Sequence, residues 1–519
     1  MKIVSVKQMR ELDRQAIDSG ISGEHLMELA GRGASHEIAS WLHDLGRTGR
    51  RRVSLLAGKG NNGGDAYVAA RYLAAETNLQ TTVYSVCSPE ELDGDARINA
   101  ERLPAGIPLI VCPEKLPESS LADDTLVVDG LLGTGLGGDL REPYKTIIGQ
   151  VNRSRCPVAA LDIPSGLDGD SGRPTGELAV EADLTIAMGL PKSGLFSPVG
   201  RIFCGVLRTV DIGLPEALAA SAAATGEADF ASDIAALLGR RPPDSHKNTF
   251  GRVLVVAGSG RYIGAPALTA RAALRGGAGL VTAAIPRGLW VKTPAPALPA
   301  ALIVHPVAGG EEACRFNRSS IPELAELADR AEAVAFGPGV GVEPGTGDVL
   351  QALLEHSRVA VIDADGLNLI AAAPEHFATA LDGHLLTPHP GEMARLLKAF
   401  NLTAQGGDDR KQQALVLARA TGATVVLKGM NTITARPDGR HWLNSSGNSA
   451  LASAGTGDVL TGLIASLLAQ GHKPAEAARI AVFIHGLAAE TAGRSQRGLI
   501  ADDLPEAIDE ALRRISPFA

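Results

Sequence analysis

The sequence predicts an α/β protein with two separate layered domains, and three observations predict it. Short runs that are apolar on both faces, each closed by glycine or proline, alternate with helix-like stretches. That is the pattern of parallel strands covered by helices on two sides. The alternation breaks at a proline-punctuated, alanine-rich stretch and then starts again. At 519 residues the chain is also longer than one hydrophobic core normally serves. Two α/β three-layer sandwiches follow.

In chain order, the stretch from about Ser5 to Ser19 reads as an opening helix that packs across the first layer or against a partner subunit. The first strand series is Val53–Ala57, Thr81–Val86, Leu109–Val111, Thr125–Asp129, Val158–Ile163 and Leu184–Met188. From Gly213 to His246 the chain reads as a tethered linker with short helices at Ala217–Ala224 and Ser232–Leu238. The second series is Val253–Ala257, Leu280–Ile285, Leu302–Val307, Ala333–Phe336, Val359–Asp363, His384–Thr387 and Thr424–Lys428. Helices at Asp458–Ala469 and Ala475–Ala492 close the pattern. The expected boundaries are 1–213, a linker at 214–246, and 247–519.

Composition narrows the function. Aromatic residues make up 3% of the chain, too few for stacking platforms on single-stranded nucleic acid. A net charge of -9 argues against binding a phosphate backbone, although local amides can still hold a nucleotide. Cys87, Cys112, Cys156, Cys204 and Cys314 are scattered and form no Cys-x-x-Cys pair, as expected of reduced thiols. Charge arrives too early for a signal peptide, and no apolar run reaches transmembrane length. The expectation is a cytoplasmic protein with no membrane or nucleic-acid partner.

Two glycine-rich loops carry the chemistry. The first, Gly58-Lys59-Gly60-Asn61-Asn62-Gly63-Gly64-Asp65, follows the first strand. It matches Gly-x-Gly-x-x-Gly, as does Gly133-Thr134-Gly135-Leu136-Gly137-Gly138, but 60 glycines make chance matches expected. A pyrophosphate finger wants bare backbone, whereas this loop adds two amide side chains and Asp65, which suits binding or helix capping. Asn62, Asp129 and Ser165 stand at the C-terminal ends of three predicted strands, where ligands of doubly wound sheets sit. One carboxylate with neutral oxygens suits a weakly charged, oxygen-liking cation better than zinc. Asp162 lies at the same edge and can serve as an acid or base. The plain alternative makes Asp129 and Asp162 turn formers or caps.

The second loop, Ala454-Gly455-Thr456-Gly457-Asp458, opens a helix whose first-turn amides can bind a transferring phosphoryl group. Asp458 is placed to take a proton from an attacking hydroxyl, the alternative being an ordinary capped helix start. Around it, at other strand ends, lie Lys428-Gly429-Met430-Asn431-Thr432, Thr387-Pro388-His389-Pro390-Gly391-Glu392, Gly337–Gly341 and Asp363–Asn368.

GKGNNGGDAYVAARYL, VVDGLLGTGLGGDLREP and LDIPSGLDGDSG resemble the epimerase domain of NAD(P)H-hydrate repair enzymes across about residues 1–213. HKNTFGRVLVVAGS, VIDADGLNLI and LLTPHPGEMARLL resemble the dehydratase partner of those enzymes, similar to ribokinase-type kinases, across about residues 240–515. The resemblance implies a Rossmann-like three-layer sandwich followed by a ribokinase-like three-layer α/β domain. It implies interconversion of the R and S forms of hydrated NADH and NADPH, then dehydration of the S form. ADP is the expected phosphoryl donor, with ATP not excluded, and a homo-oligomer is expected.

By the same resemblance, Asn61, Asn62, Gly63, Gly64 and Asp65, with Gly133, Thr134, Gly135, Leu136, Gly137, Gly138 and Asp139, hold the hydrated dinucleotide. Asn62, Asp129 and Ser165 surround a potassium ion, and Asp162 contacts the hydrated ring. Some relatives carry a lysine around Gly137. Glycine here is expected to leave Asp162 without a cationic partner, and the second proton-transfer group stays open. In the second half, Ala265, Gly339, His389 and Asp458 contact the substrate, while Lys428, Gly429, Met430, Asn431, Thr432 and Gly457 hold the adenine nucleotide. Glu392 is the indirect magnesium contact. Sugar kinases have Asn-x-x-Glu where this chain has His389-Pro390-Gly391-Glu392, which favours a dehydratase over a small-molecule kinase; a dinucleotide sensor is the non-enzyme rival.

Overall fold

The computed structural model describes residues 1–44, 52–135, 138–292, 298–308, 314–404 and 409–516. Its contacts divide the chain into two compact units, Met1–Ala228 and Asp229–Ala519. This division falls inside the stretch read as a linker.

In the first unit, β1 (Lys2–Ile3) precedes a parallel sheet built from β2 (Arg52–Ala57), β3 (Gln80–Ser85), β4 (Leu109–Val111), β5 (Thr125–Gly130), β6 (Val158–Leu161), β7 (Leu184–Met188) and β8 (Val206–Val210). The strand order is β4-β3-β2-β5-β6-β7-β8. The sheet therefore reverses its winding between β2 and β5, and the crevice beyond those strand ends is the ligand position of such folds. Register aligns the ends: Leu56 pairs with Asp129, Ala57 with Gly130, and Asp129 with Ala160. β1 pairs antiparallel with β9 (Gly226–Asp229).

The opening helix is Val6–Asp18, started by a Ser5 cap that Gln8 returns, and it buries Met9, Leu12 and Ala16. The loop after β2 runs into the helix Asn61–Glu76, buried continuously from Asn62 to Ala70. Its glycines permit close approach. A Cβ on Gly63 would stand 2.0 Å from the Gly58 carbonyl oxygen, and one on Gly58 would stand 1.8 Å from that of Leu131.

The second unit contains β10 (Arg252–Val256), β11 (Leu280–Pro286), β12 (Ile303–Val307), β13 (Ala333–Phe336), β14 (Ala360–Ile362), β15 (Leu385–Leu386), β16 (Thr424–Leu427), β17 (Ile433–Ala435) and β18 (His441–Asn444). Their order is β18-β17-β16-β15-β14-β13-β10-β11-β12. The pairs from β16 to β18 are antiparallel and the others parallel. Alternate residues of β10 face opposite cores: Val253 and Val255 join the helices Thr456–Ala469 and Pro474–Thr491, while Leu254 and Val256 join Thr346–His356 and Pro390–Ala399. The fold class is α/β in both units.

Five strands, β1, β8, β9, β17 and β18, are additions to the sequence reading. Polar residues such as Arg208, Thr434 and His441 interrupt their apolar runs, so the reading of continuous apolar segments passes over them. The connector also needs correction, since it is not a tether alone. Asp229 is buried and ion-paired with Arg479 at 2.6 Å, the Ser445 hydroxyl donates to the Asp229 carbonyl, and Ile234 joins a core cluster. Among the described residues no helix is long and apolar enough to cross a membrane.

Removing one partner of a buried ion pair strands the other. Asp229→Ala is therefore expected to destabilise the second unit by about 3 kcal/mol in urea unfolding. Arg513→Ala, at an exposed pair with Glu510, should stay within about 0.5 kcal/mol.

Candidate active sites

In the first unit, a cleft of about 810 Å³ opens where the sheet reverses its winding. Asn61, Asn62, Asp65, Gly133, Thr134, Gly135 and Asp162 line it. Gly63 and Gly64 are buried in packing instead, and Gly138 and Asp139 are exposed outside the lining. Leu136 and Gly137 lie outside the described residues.

Of the three side chains proposed for a cation, Asp129 and Ser165 are in direct contact, and Asn62 shares a backbone carbonyl with Ser165. The Ser165 hydroxyl donates to Asp129 at 2.6 Å, and its backbone N–H donates to the other carboxylate oxygen at 2.8 Å. The Asn62 amide nitrogen and the Ser165 hydroxyl both reach the Leu132 carbonyl, at 3.0 and 3.1 Å. The Asn62 amide oxygen is buried without a hydrogen-bond partner. A buried amide oxygen left without a partner is the kind of neutral oxygen that an oxygen-liking cation takes. Burial pushes the Asp129 carboxyl up to about 6, against the hydrogen bonds from Ser165 and Leu131.

Asp162 has a cationic partner after all. The Lys192 ammonium is ion-paired with Asp162 Oδ1, donates to the Met188 carbonyl at 3.0 Å, and is only 1% exposed. The strand β7 ends at Met188, and Leu190-Pro191-Lys192 turns the lysine back into the cleft. A lysine just past a strand end was the available signal. The Asp162 backbone sits at φ 61°, a left-handed conformation outside both helix and strand. This fits a residue placed for a site better than the helix-cap alternative. Nor is Asp65 a cap: Gly60 holds that position, and Asp65 lies inside the helix. Asp13, from the opening helix, also lines the cleft, and one of its carboxylate oxygens is buried without a partner. Burial foremost pushes Asp13 up to about 6; the Lys192 charge opposes this shift and the Asp162 charge adds to it.

In the second unit, Gly455, at φ 85°, starts the helix Thr456–Ala469, with Asp458 in its first turn. The Lys428 ammonium is 2.5 Å from Asp363 and 4.0 Å from Glu392. A Cβ on Gly457 would lie 3.4 Å from both the Lys428 nitrogen and Asp363, and the Thr461 hydroxyl donates to Asp363 at 2.8 Å. Bare backbone at Gly457 therefore keeps the helix start open beside the ammonium. Asp363, singled out in the sequence only as part of a strand-end loop, is the residue that holds Lys428.

His389 caps the helix Pro390–Ala399. Its Nδ1 accepts from the N–H groups of Gly391 and Glu392, at 2.9 and 3.4 Å, so the ring hydrogen sits on Nε2. Burial, then the charges of Lys428 and Arg395, lower the imidazole pKa against the Asp363 charge, which keeps the ring neutral. Glu392 accepts from the His389 N–H at 2.8 Å and is buried, which raises its carboxyl. Asp363 and Glu392 both face the Lys428 ammonium, and the Glu392 carboxylate offers hard oxygens of the kind magnesium takes.

Gly339, at φ 63°, and Ala265 are neighbours, their Cβ positions 3.3 Å apart with Tyr262 alongside. The Gly341 N–H donates to Asp365 at 2.9 Å, tying that loop to the Asp363 edge. In the loop Lys428–Thr432, Arg410 donates to the carbonyls of Leu427, Lys428 and Met430. Asn431 takes φ 50°, and the Met430 side chain is exposed.

The family described as NAD(P)H-hydrate dehydratase matches residues 253–512, and that described as YjeF-related protein N-terminus matches residues 23–194. The bifunctional NAD(P)H-hydrate repair enzyme Nnr of Moorella thermoacetica is 37% identical over 524 residues, covering 99% of this chain and 97% of that protein. The chain belongs to the bifunctional NAD(P)H-hydrate repair enzyme family. A member from Archaeoglobus fulgidus is 36% identical over 520 residues, covering 100% of both chains. Among solved structures, the ADP/ATP-dependent NAD(P)H-hydrate dehydratase of Bacillus subtilis, co-crystallised with ATP and Mg2+, is 28% identical. It covers 56% of this chain and 99% of that one, with a TM-score of 0.45.

Burial, followed by the charge of Asp363, raises Asp458 from its ordinary 3.8 to about 7, with Lys428 opposing and Asp365 adding. The folded chain then keeps a proton that the unfolded chain releases, so this group's stabilising contribution is lost as pH rises from 3.8 to about 7. Asp458→Asn, which cannot ionise, is expected to melt higher than the parent, with the gap wider at pH 8 than at pH 5 by scanning calorimetry.

Proposed function

We propose that the first unit interconverts the R and S forms of hydrated NADH and NADPH, and that the second dehydrates the S form at the expense of ADP. The full-length similarity to bifunctional repair enzymes carries this reading. A stereospecific dehydratase alone would strand half of a mixed-epimer pool, which gives the fusion its purpose. ATP is the alternative donor, and a homo-oligomer belongs to the same reading.

In the second unit the hydrated ring lies against Ala265, Gly339 and His389, and the nucleotide against Lys428–Thr432 and Gly457. Asp458 takes the proton of the ring hydroxyl, whose oxygen attacks the terminal phosphorus of ADP and releases AMP. The helix-start amides and Lys428 stabilise the transferring group. The phosphate ester then leaves with the carbon–oxygen pair, assisted by the ring nitrogen lone pair. Loss of a proton from the adjacent carbon restores dihydronicotinamide. Glu392 would meet magnesium through water, and when bound that ion offsets charge on the phosphoryl group.

In the first unit the loops Asn61–Asp65 and Gly133–Asp139 hold the dinucleotide, and Asp162 moves a proton at the hydrated carbon. Asn62, Asp129 and Ser165 would hold potassium, which supplies weak positive charge when bound.

The test incubates the protein with mixed-epimer NADH hydrate, ADP, magnesium and potassium. Recovery of NADH absorbance from both epimers is expected; consumption of neither, with ADP or ATP, rules the reading out. Asp458→Asn should lower the dehydration kcat by about 100-fold or more while R-to-S conversion continues. A phosphorylated ring product that accumulates without NADH would instead identify a small-molecule kinase.

A further inference from the structure

The epimerase reading supplies one proton acceptor, Asp162, but inversion also needs a donor. Lys192 is already engaged with Asp162 and the Met188 carbonyl. Three other carboxyls line the same cleft, and of these Asp95 is only half-buried. Asp65 is 9% exposed, projects from the buried helix Asn61–Glu76, and among the described residues has no hydrogen-bond or ion-pair partner. Asp13 approaches from the opening helix with one oxygen buried and unpartnered. An unpartnered polar group buried at a cleft is costly unless a ligand or a retained proton satisfies it.

We propose that Asp65 is the proton donor of the epimerase site, acting opposite the Asp162 carboxylate across the hydrated ring. The proposal rests on the epimerase reading above and adds a role to a residue assigned there only to binding. Burial, and then the charges of Asp162 and Asp13, raise the Asp65 carboxyl well above the usual carboxylate range, with Lys192 opposing. These influences favour its protonated, neutral form.

The hydrated carbon bears both the hydroxyl and the ring nitrogen. Asp162 takes the hydroxyl proton, and the oxygen pair forms a carbonyl π bond. The carbon–nitrogen bond breaks with its pair moving to nitrogen, which receives the proton of Asp65. The opened chain turns about its carbon–carbon bond, and the nitrogen pair adds to the other face of the carbonyl. The nitrogen proton returns to Asp65 and the Asp162 proton to oxygen. No atom, charge or electron is left over.

The test uses the full chain and pure R-NADH hydrate, with epimers separated by chromatography. Asp65→Asn is expected to lower kcat for inversion about 100-fold or more, with KM within about threefold. Its ADP-dependent dehydration of the S form should stay at the parent rate, which reports that the second unit is intact, while the retained KM for R-NADH hydrate reports that the first is folded. Asp65→Glu, which keeps the acid, should recover at least about tenfold over Asp65→Asn. Inversion by Asp65→Asn within about threefold of the parent, or no gain from Asp65→Glu, overturns the proposal. So does entry of one solvent oxygen per inversion in 18O-water, since ring opening keeps the original oxygen. If the parent chain itself fails to interconvert the epimers, the epimerase reading falls instead.

Discussion

Each unit gathers more carboxyl groups than it can neutralise around a single ammonium. In the first, Lys192 pairs with Asp162 while Asp13 and Asp65 stand within its electrostatic reach. In the second, Lys428 pairs with Asp363, lies 4.0 Å from Glu392, and acts on Asp458. Ionising every acid in such a place would cost more than one buried cation returns. The surplus acids keep their protons to higher pH than free carboxyls do, with Asp13 at about 6 and Asp458 at about 7. Groups that exchange protons near neutrality are those a proton-transfer site needs. The unfavourable burial and the chemistry share one cause.

The sheets make this crowding possible. Parallel strands bring distant loops to one edge, so residues from the ends of β2, β5, β6 and β7 meet in one cleft. Glycines bring the backbones close enough to hold the arrangement. Gly58 and Gly63 press against carbonyls in the first unit, and Gly457 leaves its helix start bare beside Lys428 in the second. Strain is spent where it orients a side chain, as at Asp162 and Asn431, both at positive φ.

Much of this was legible in the residues. The apolar runs marked most strands, because parallel strands buried on both faces leave a continuous signal. Asn62, Asp129 and Ser165 were recognisable as a set from their places at three strand ends. Lys192 is not evident as the counter-ion to Asp162 in the residues, because it lies outside the glycine loop around Gly137 where some relatives carry their lysine. A lysine at the end of β7 is adjacent in space but far along the chain. The pairing of Asp363 with Lys428 is hidden for the same reason, 65 residues apart. The buried state of Asp13 depends on how the opening helix docks, which periodicity alone leaves open.

Parts of the first cleft differ in how much change they tolerate. The floor is tight at Gly58 and Gly63, where an added Cβ would meet a backbone carbonyl oxygen, so even a methyl group there forces the backbone to move. The rest of the lining includes Met9, Met27 and Met188, unbranched and polarisable side chains that repack readily. A directed-evolution library seeking acceptance of another damaged heterocycle is therefore better drawn from those methionines than from the glycine motif that first draws the eye.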